Sequence, residues 1–212
     1  MIKLYGSFPS RSNRVMWALE ELEQPYDFIE IDFAAGDAGS DEFLALNPAG
    51  KVPVLVKDDL VLTESGAICT YLGDCFPDKN LTPTAGSNDR ARYDQWMFFA
   101  QSELEQPLWT KAKHKFALPK EYRVADINAA TEYEFSKALD LLSQGLSNQE
   151  FMLGDQFSMV DIMITHTLIW ARNARMDLVH DNLKAYMKKN LSREACQRLK
   201  EKERIPFSAA HE

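Results

Sequence analysis

The hydrophobic pattern of this chain changes period near residue 77, and that change limits it to two differently built halves. From Met1 to about Phe76, strand and helix signals alternate. IKLY reads as a strand, Val15, Met16, Leu19 and Leu22 fall on one helical face, and Ile29, Ile31 and Phe33 alternate as one side of a second strand. A polar loop, AAGDAGSD, and a short apolar turn, EFLALN, lead to VPVLV and LVL, which flank Asp58-Asp59 as a hairpin. GAICTYLGDCF then closes this half as a helix. A hairpin forces its two strands to be antiparallel, so the order βαβ, loop, ββ, α describes an α/β unit with a mixed sheet.

FPDKNLTPTAGSN concentrates proline, glycine and polar residues, which is linker composition. Everything beyond it reads helical, with Tyr93, Trp96, Met97, Ala100, Leu104 and Leu108 as one stripe and Ile127, Phe135, Ala138, Leu139 and Leu142 in another. The expected organisation is an α/β domain over 1–77, a linker over 78–87 and an all-α domain over 88–212. One helix start is well marked. In FSMVDI, Ser158 is the N-cap and Asp161 its capping-box partner, with Phe157 and Ile162 at the two positions of a hydrophobic staple.

Composition narrows the function classes. A formal net charge of -8 disfavours non-specific binding to nucleic acid, which needs a basic footprint. Cys69, Cys75 and Cys196 are too few and too irregularly spaced for a disulfide framework or a zinc site, so a reducing cytoplasm fits best. MIKLYGSFPS has no apolar export core, and Asp161 and His166 interrupt the best apolar run, so neither export nor a membrane is expected. The phosphate-loop, dinucleotide, nucleophile-elbow and zinc-protease motifs do not occur in the sequence. His114, His166, His180 and His211 lack ligand spacing, so no metal is expected.

Three places remain that suit chemistry. The loop GSFPSRSNRV offers Ser7, Ser10 and Ser12, each readable as a helix cap or as a hydroxyl that stabilises an anion among free helix N–H groups. In NPAGKVPVL, Pro53 removes a ladder donor from a valine-rich strand. Either it marks an edge, or a cis bond after Val52 turns that residue's backbone outward to pair with an extended peptide. In TESGA, Ser65 and its N–H suit a carboxylate at a helix start while Glu64 suits an ammonium, and a group carrying both charges is an amino acid.

The βαβ opening, NPAGKVPVL, ESGAI, the linker and a helical domain carrying GDQFSMVD (G-x-x-x-S-x-V-D from Gly154) together resemble the cytosolic glutathione S-transferase family, its bacterial-type members with a serine loop in particular. The resemblance covers essentially the whole chain. It implies a thioredoxin-like N-terminal domain that binds glutathione as co-substrate, an all-α C-terminal domain that serves a small hydrophobic electrophile, and a homodimer. Pro53 takes the place of the family's cis-proline, and Val52 that of the residue pairing with the cysteinyl backbone. Glu64 and Ser65 match the pair holding the γ-glutamyl group, and Lys51 stands near the glycyl carboxylate.

For the thiol activator, serine-bearing members place the hydroxyl several residues before an Arg-hydrophobic pair, here Arg14-Val15, which puts Ser10 first and Ser12 second. Tyr5 is third, because some classes use a tyrosine at the end of strand one. The loop carries no cysteine, which departs from members that work through a mixed disulfide. For the electrophile's pocket, family position suggests Phe8, Trp109 and His114. The expected activity is conjugation of glutathione to an electrophile. The alternatives are glutathione-dependent disulfide reduction or isomerisation, and a non-catalytic binding module on the same fold.

Overall fold

The computed structural model describes residues 1–203, and contacts divide them into a unit of residues 1–80 with 192–203 and a unit of residues 81–191. In the first unit, β1 (Ile2–Gly6), α1 (Ser12–Glu21) and β2 (Tyr26–Glu30) form the expected βαβ opening. α2 (Asp41–Leu46), β3 (Val54–Lys57), β4 (Leu60–Thr63) and α3 (Ser65–Cys75) follow. The sheet runs β2-β1-β3-β4, parallel between β1 and β2 and antiparallel elsewhere, the mixed topology that the hairpin requires.

Strand alternation splits the sheet into two faces. Ile2, Leu4 and Leu55 lie buried on one, with α1 packed on β1 and on α3. Tyr5, Val54 and Val56 lie on the other, in a cluster with Ile31 and with Phe43 of α2. The four α1 residues picked out by periodicity, Val15, Met16, Leu19 and Leu22, are all buried. EFLALN proves to be helical because Ser40 caps it, accepting from the Phe43 N–H at 3.2 Å, with Asp41 and Glu42 in the favoured first turn. Phe33 departs from the expected strand: β2 ends at Glu30, and Phe33 is 53 % exposed in the loop beyond it.

The end of the chain also differs from the expected domain of 88–212. α9 (Glu194–Glu203) packs on α1 and belongs to the first unit. Ala195, Cys196 and Leu199 supply its buried side chains. Around them Arg193 grips Glu21 with two bonds of 2.7 and 2.8 Å, while Arg198 and Lys202 reach Glu20. Residues 204–212, the end of the expected helical domain, lie outside the described residues.

The second unit is helical as expected, with α4 (Asn88–Phe99), α5 (Gln106–Ala112), α6 (Ile127–Leu146), α7 (Met159–Asn173) and α8 (Asp181–Leu191). π-helical turns at Ala100–Leu104 and Lys113–Ala117 extend α4 and α5. α7 is buried on most of its surface, and its start carries the expected capping box. Asp161 does more there than cap. Its carboxylate accepts from the Ser158 N–H (2.8 Å) and hydroxyl (2.9 Å), the Met152 N–H (2.9 Å) and the Tyr186 hydroxyl (2.7 Å). Burial, and then Asp161 beside it, hold Tyr186 well above the usual tyrosine pKa, so it stays a donor. Among the described residues no helix is long and apolar enough to cross a membrane.

Candidate active site

One row of residues across the sheet gathers the three places singled out in the first half. Tyr5 pairs with Val54, and Val54 with Thr63. Tyr5 is followed by the serine loop, Val54 is preceded by Val52-Pro53, and Thr63 is followed by Glu64-Ser65. The β1, β3 and β4 ladders therefore bring all three segments to the same end of the sheet. The Val52–Pro53 peptide is cis, and the β3 ladder begins only at Val54, leaving Val52 outside it.

The serine loop packs closely on the strand that feeds it. A Cβ at Gly6 would lie 2.8 Å from Ser12 Cβ and 2.7 Å from the Phe28 ring, so only glycine fits. Ser12 is fully buried. Ser10, two residues before the helix and partly exposed, has its N–H bonded to Asn13 Oδ1 at 3.2 Å. Its hydroxyl lies 2.6 Å from the Ser7 carbonyl and 2.9 Å from Ser12 Oγ. A carbonyl only accepts and a hydroxyl has one proton, so Ser10 donates to Ser7 while accepting from the Ser12 hydroxyl and from the Ser12 N–H at 3.0 Å. Two donors thus polarise Ser10 Oγ, which makes it a stronger donor. Tyr5 is half-buried, its ring 6.2 Å from that of Phe43. Phe8, which precedes a cis bond to Pro9, stacks on Phe28 with ring centroids 4.7 Å apart.

At the start of α3, Glu64 has φ 67° and ψ 112°, outside the regions a non-glycine residue occupies comfortably. Its side chain is exposed and makes no cap bond, so the first N–H groups of α3 lack a side-chain cap. Ser65 is 3 % exposed, and its Oγ accepts from Arg14 Nη1 at 3.2 Å. On the neighbouring loop, Lys51 is exposed with its carbonyl held by Asn47 Nδ2 at 2.7 Å. Asn47 Oδ1 also accepts from the Ala49 N–H, and Gly50, at φ +61°, turns the chain under the Ala38 carbonyl.

In the second unit, Trp109 is half-buried on α5. His114 lies on the π turn, where its Nδ1 accepts from the Val124 N–H at 3.0 Å. Arg123 braces the same turn by donating to the carbonyls of Leu118, Lys115 and Phe116. Four further residues shape these places, one of them Arg14, which the sequence marks only as half of the Arg-hydrophobic pair. Asn13, Arg14, Asn47 and Arg123 act through contacts that no periodicity encodes, although Asn followed by Pro at 47–48 is a turn signal that marks Asn47. Among the described residues no group of His, Cys, Asp and Glu is arranged to hold a metal.

Comparison with known proteins shows the family and the fold. The family model described as "Glutathione S-transferase, N-terminal domain" matches residues 1–74, and "Glutathione S-transferase, C-terminal domain" matches 116–189. The glutathione S-transferase GstB of Escherichia coli strain K12 is 34% identical over 174 residues, covering 77% of this chain and 80% of that protein. The glutathione S-transferase hmp2 of Hypomyces subiculosus is 33% identical over 171 residues, covering 76% of this chain and 78% of that protein. Among solved structures, a ternary complex of the bacterial enzyme BphK superposes with a TM-score of 0.85 at 31% identity, covering 96% of this chain and 100% of that one. A sphingomonad glutathione S-transferase complexed with glutathione gives 0.83 at 28% identity, covering 96% of this chain and 99% of that one.

Proposed function

The chain belongs to the glutathione S-transferase family and is a glutathione transferase, and from that premise we propose that Ser10 holds the bound thiol as a thiolate for attack on a small electrophile. The observation that carries this reading is the cross-sheet row Tyr5, Val54, Thr63, which puts a polarised serine, an unladdered backbone edge and an uncapped helix start at one end of the sheet. A tripeptide with two carboxylates, an ammonium and a thiol matches that set. The Val52 backbone pairs with the cysteinyl residue, Ser65 and the α3 N–H groups take the γ-glutamyl carboxylate, Glu64 takes the ammonium, and Lys51 faces the glycyl carboxylate.

In the mechanism Ser10 is a donor and not a nucleophile. A thiolate sulfur is charged and the Ser7 carbonyl is not; charge-assisted bonds are about twice as strong, so Ser10 turns its proton to the sulfur when the ligand is bound. Lowering a thiol pKa by about two units requires roughly 3 kcal/mol. One bond to a charged group supplies about 1.5–3 kcal/mol, and the start of α1 adds about 0.3–1 kcal/mol. The thiolate then attacks the electrophilic carbon and displaces its leaving group. The Phe8 ring, stacked on Phe28 near Ser10 in sequence, offers the electrophile an apolar surface.

The test of the γ-glutamyl site is calorimetric. Ser65→Ala and Glu64→Ala are each expected to weaken glutathione binding about tenfold, the value of one charged hydrogen bond; full affinity in both variants would sink this placement. We further propose a homodimer. Tyr133 and Leu141 stand exposed on α6, 65 % and 54 %, on either side of Lys137, and Phe98 of α4 is 68 % exposed, so the second unit presents large apolar side chains that a partner copy could cover. Sedimentation at twice the chain mass supports that assembly, and a monomer at micromolar concentration contradicts it.

A further inference from the structure

We propose that Arg14 is the positioning residue of the γ-glutamyl carboxylate site, aiming the Ser65 hydroxyl at the ligand and placing a permanent positive charge beneath it. The proposal rests on the glutathione site argued above. Arg14 is the third residue of α1, and its side chain is 1 % exposed, among the largest fully buried in the protein. An arginine read from SRSNRV alone belongs to a solvated helix face; burying it costs free energy, so its place here calls for a compensating role.

The contacts indicate the role. Nη1 donates to Ser65 Oγ at 3.2 Å, within a buried pair. Guanidinium has no acceptor and serine has one proton, so the direction of this bond is fixed and the Ser65 proton is left to point elsewhere. Ser65 is the first residue of α3, where the helix N–H groups also point outward. Hydroxyl proton, N–H groups and guanidinium charge thus converge on one place that favours a carboxylate. The two helices are tied at a second point, where the Cys69 thiol meets the Arg14 carbonyl at 3.7 Å. Burial pushes the Cys69 thiol up to about 12, and the nearby Arg14 charge opposes that shift. Arginine suits the task because it stays charged when buried, whereas a lysine so placed would shed its proton.

The test separates a charge role from a packing role with two ligands: glutathione, and the analogue whose γ-glutamyl α-carboxylate is a primary amide. Wild-type protein is expected to prefer glutathione by about tenfold or more, the value of a charged bond. Arg14→Met is expected to bring that preference down to within about threefold, chiefly through weaker glutathione binding, with the bound thiol's pKa unmoved. Arg14→Gln keeps a donor for Ser65 without the charge and carries the same comparison if Arg14→Met does not fold. A preference unchanged in either folded variant would overturn the role of Arg14. Wild-type protein that binds neither ligand would instead overturn the glutathione site itself, so the two failures are distinguishable.

Discussion

Ser10→Ala is expected to lower kcat/KM for conjugation near neutral pH by about a hundredfold while leaving glutathione affinity within a few-fold, because one charge-assisted bond of about 3 kcal/mol is lost. The asymmetry follows from where the hydroxyl acts. In the proposed site Ser10 meets only the sulfur, whereas Ser65, Glu64, Lys51 and the Val52 backbone hold the rest of the tripeptide, so the substitution is expected to remove activation and spare most binding. Ser12→Ala is expected to have a smaller effect of the same sign: Ser12 is fully buried and works by feeding its hydroxyl and N–H bonds into Ser10. Tyr5→Phe leaves the loop's bonds intact. Steady-state kinetics across the three variants decides the assignment, and an unaffected Ser10→Ala beside a crippled Ser12→Ala or Tyr5→Phe would move the donor to the residue that fails.

Asp161→Ala is the largest stability change expected, about 3–5 kcal/mol against the 5–15 kcal/mol typical of a folded domain. An ordinary cap is worth about 1 kcal/mol. Here the carboxylate satisfies four donors, two on Ser158 and one each on Met152 and Tyr186, all in a site that water does not reach. Each buried donor left without a partner costs about 1–3 kcal/mol, although relaxation recovers part of the sum. Tyr186→Phe removes one donor together with its need for a partner and is expected to cost no more than about 1.5 kcal/mol. Thermal and urea denaturation measure both, and an Asp161→Ala loss no larger than that of Tyr186→Phe contradicts the four-donor description.

What the sequence shows of this fold is what is local. The capping box lies within FSMVD and is read directly; Met152 and Tyr186, which complete the same network, stand nine residues before and twenty-five after Asp161, and nothing in their own neighbourhoods marks them. The mixed sheet is legible because a hairpin makes its two strands antiparallel, yet the strand ends are not, and Phe33 keeps the alternation of Ile29 and Ile31 after β2 has stopped. α9 reads as one more amphipathic helix, since its sequence gives no sign that Arg193, Arg198 and Lys202 pair with Glu20 and Glu21 of α1. The candidate site follows the same division. Its ligand-facing groups stand in short stretches with recognisable chemistry, whereas the residues that aim them, Asn13, Arg14 and Asn47, act through contacts that only folding creates.

The most direct test of thiol activation is an ultraviolet difference titration of the wild-type protein with reduced glutathione across neutral pH, read beside Ser10→Ala. Activation by Ser10 requires a saturable thiolate absorbance whose pKa lies about two units below that of free glutathione and moves back towards it in the variant. Saturable binding by calorimetry with the thiol left at its free pKa, in both proteins, would contradict it.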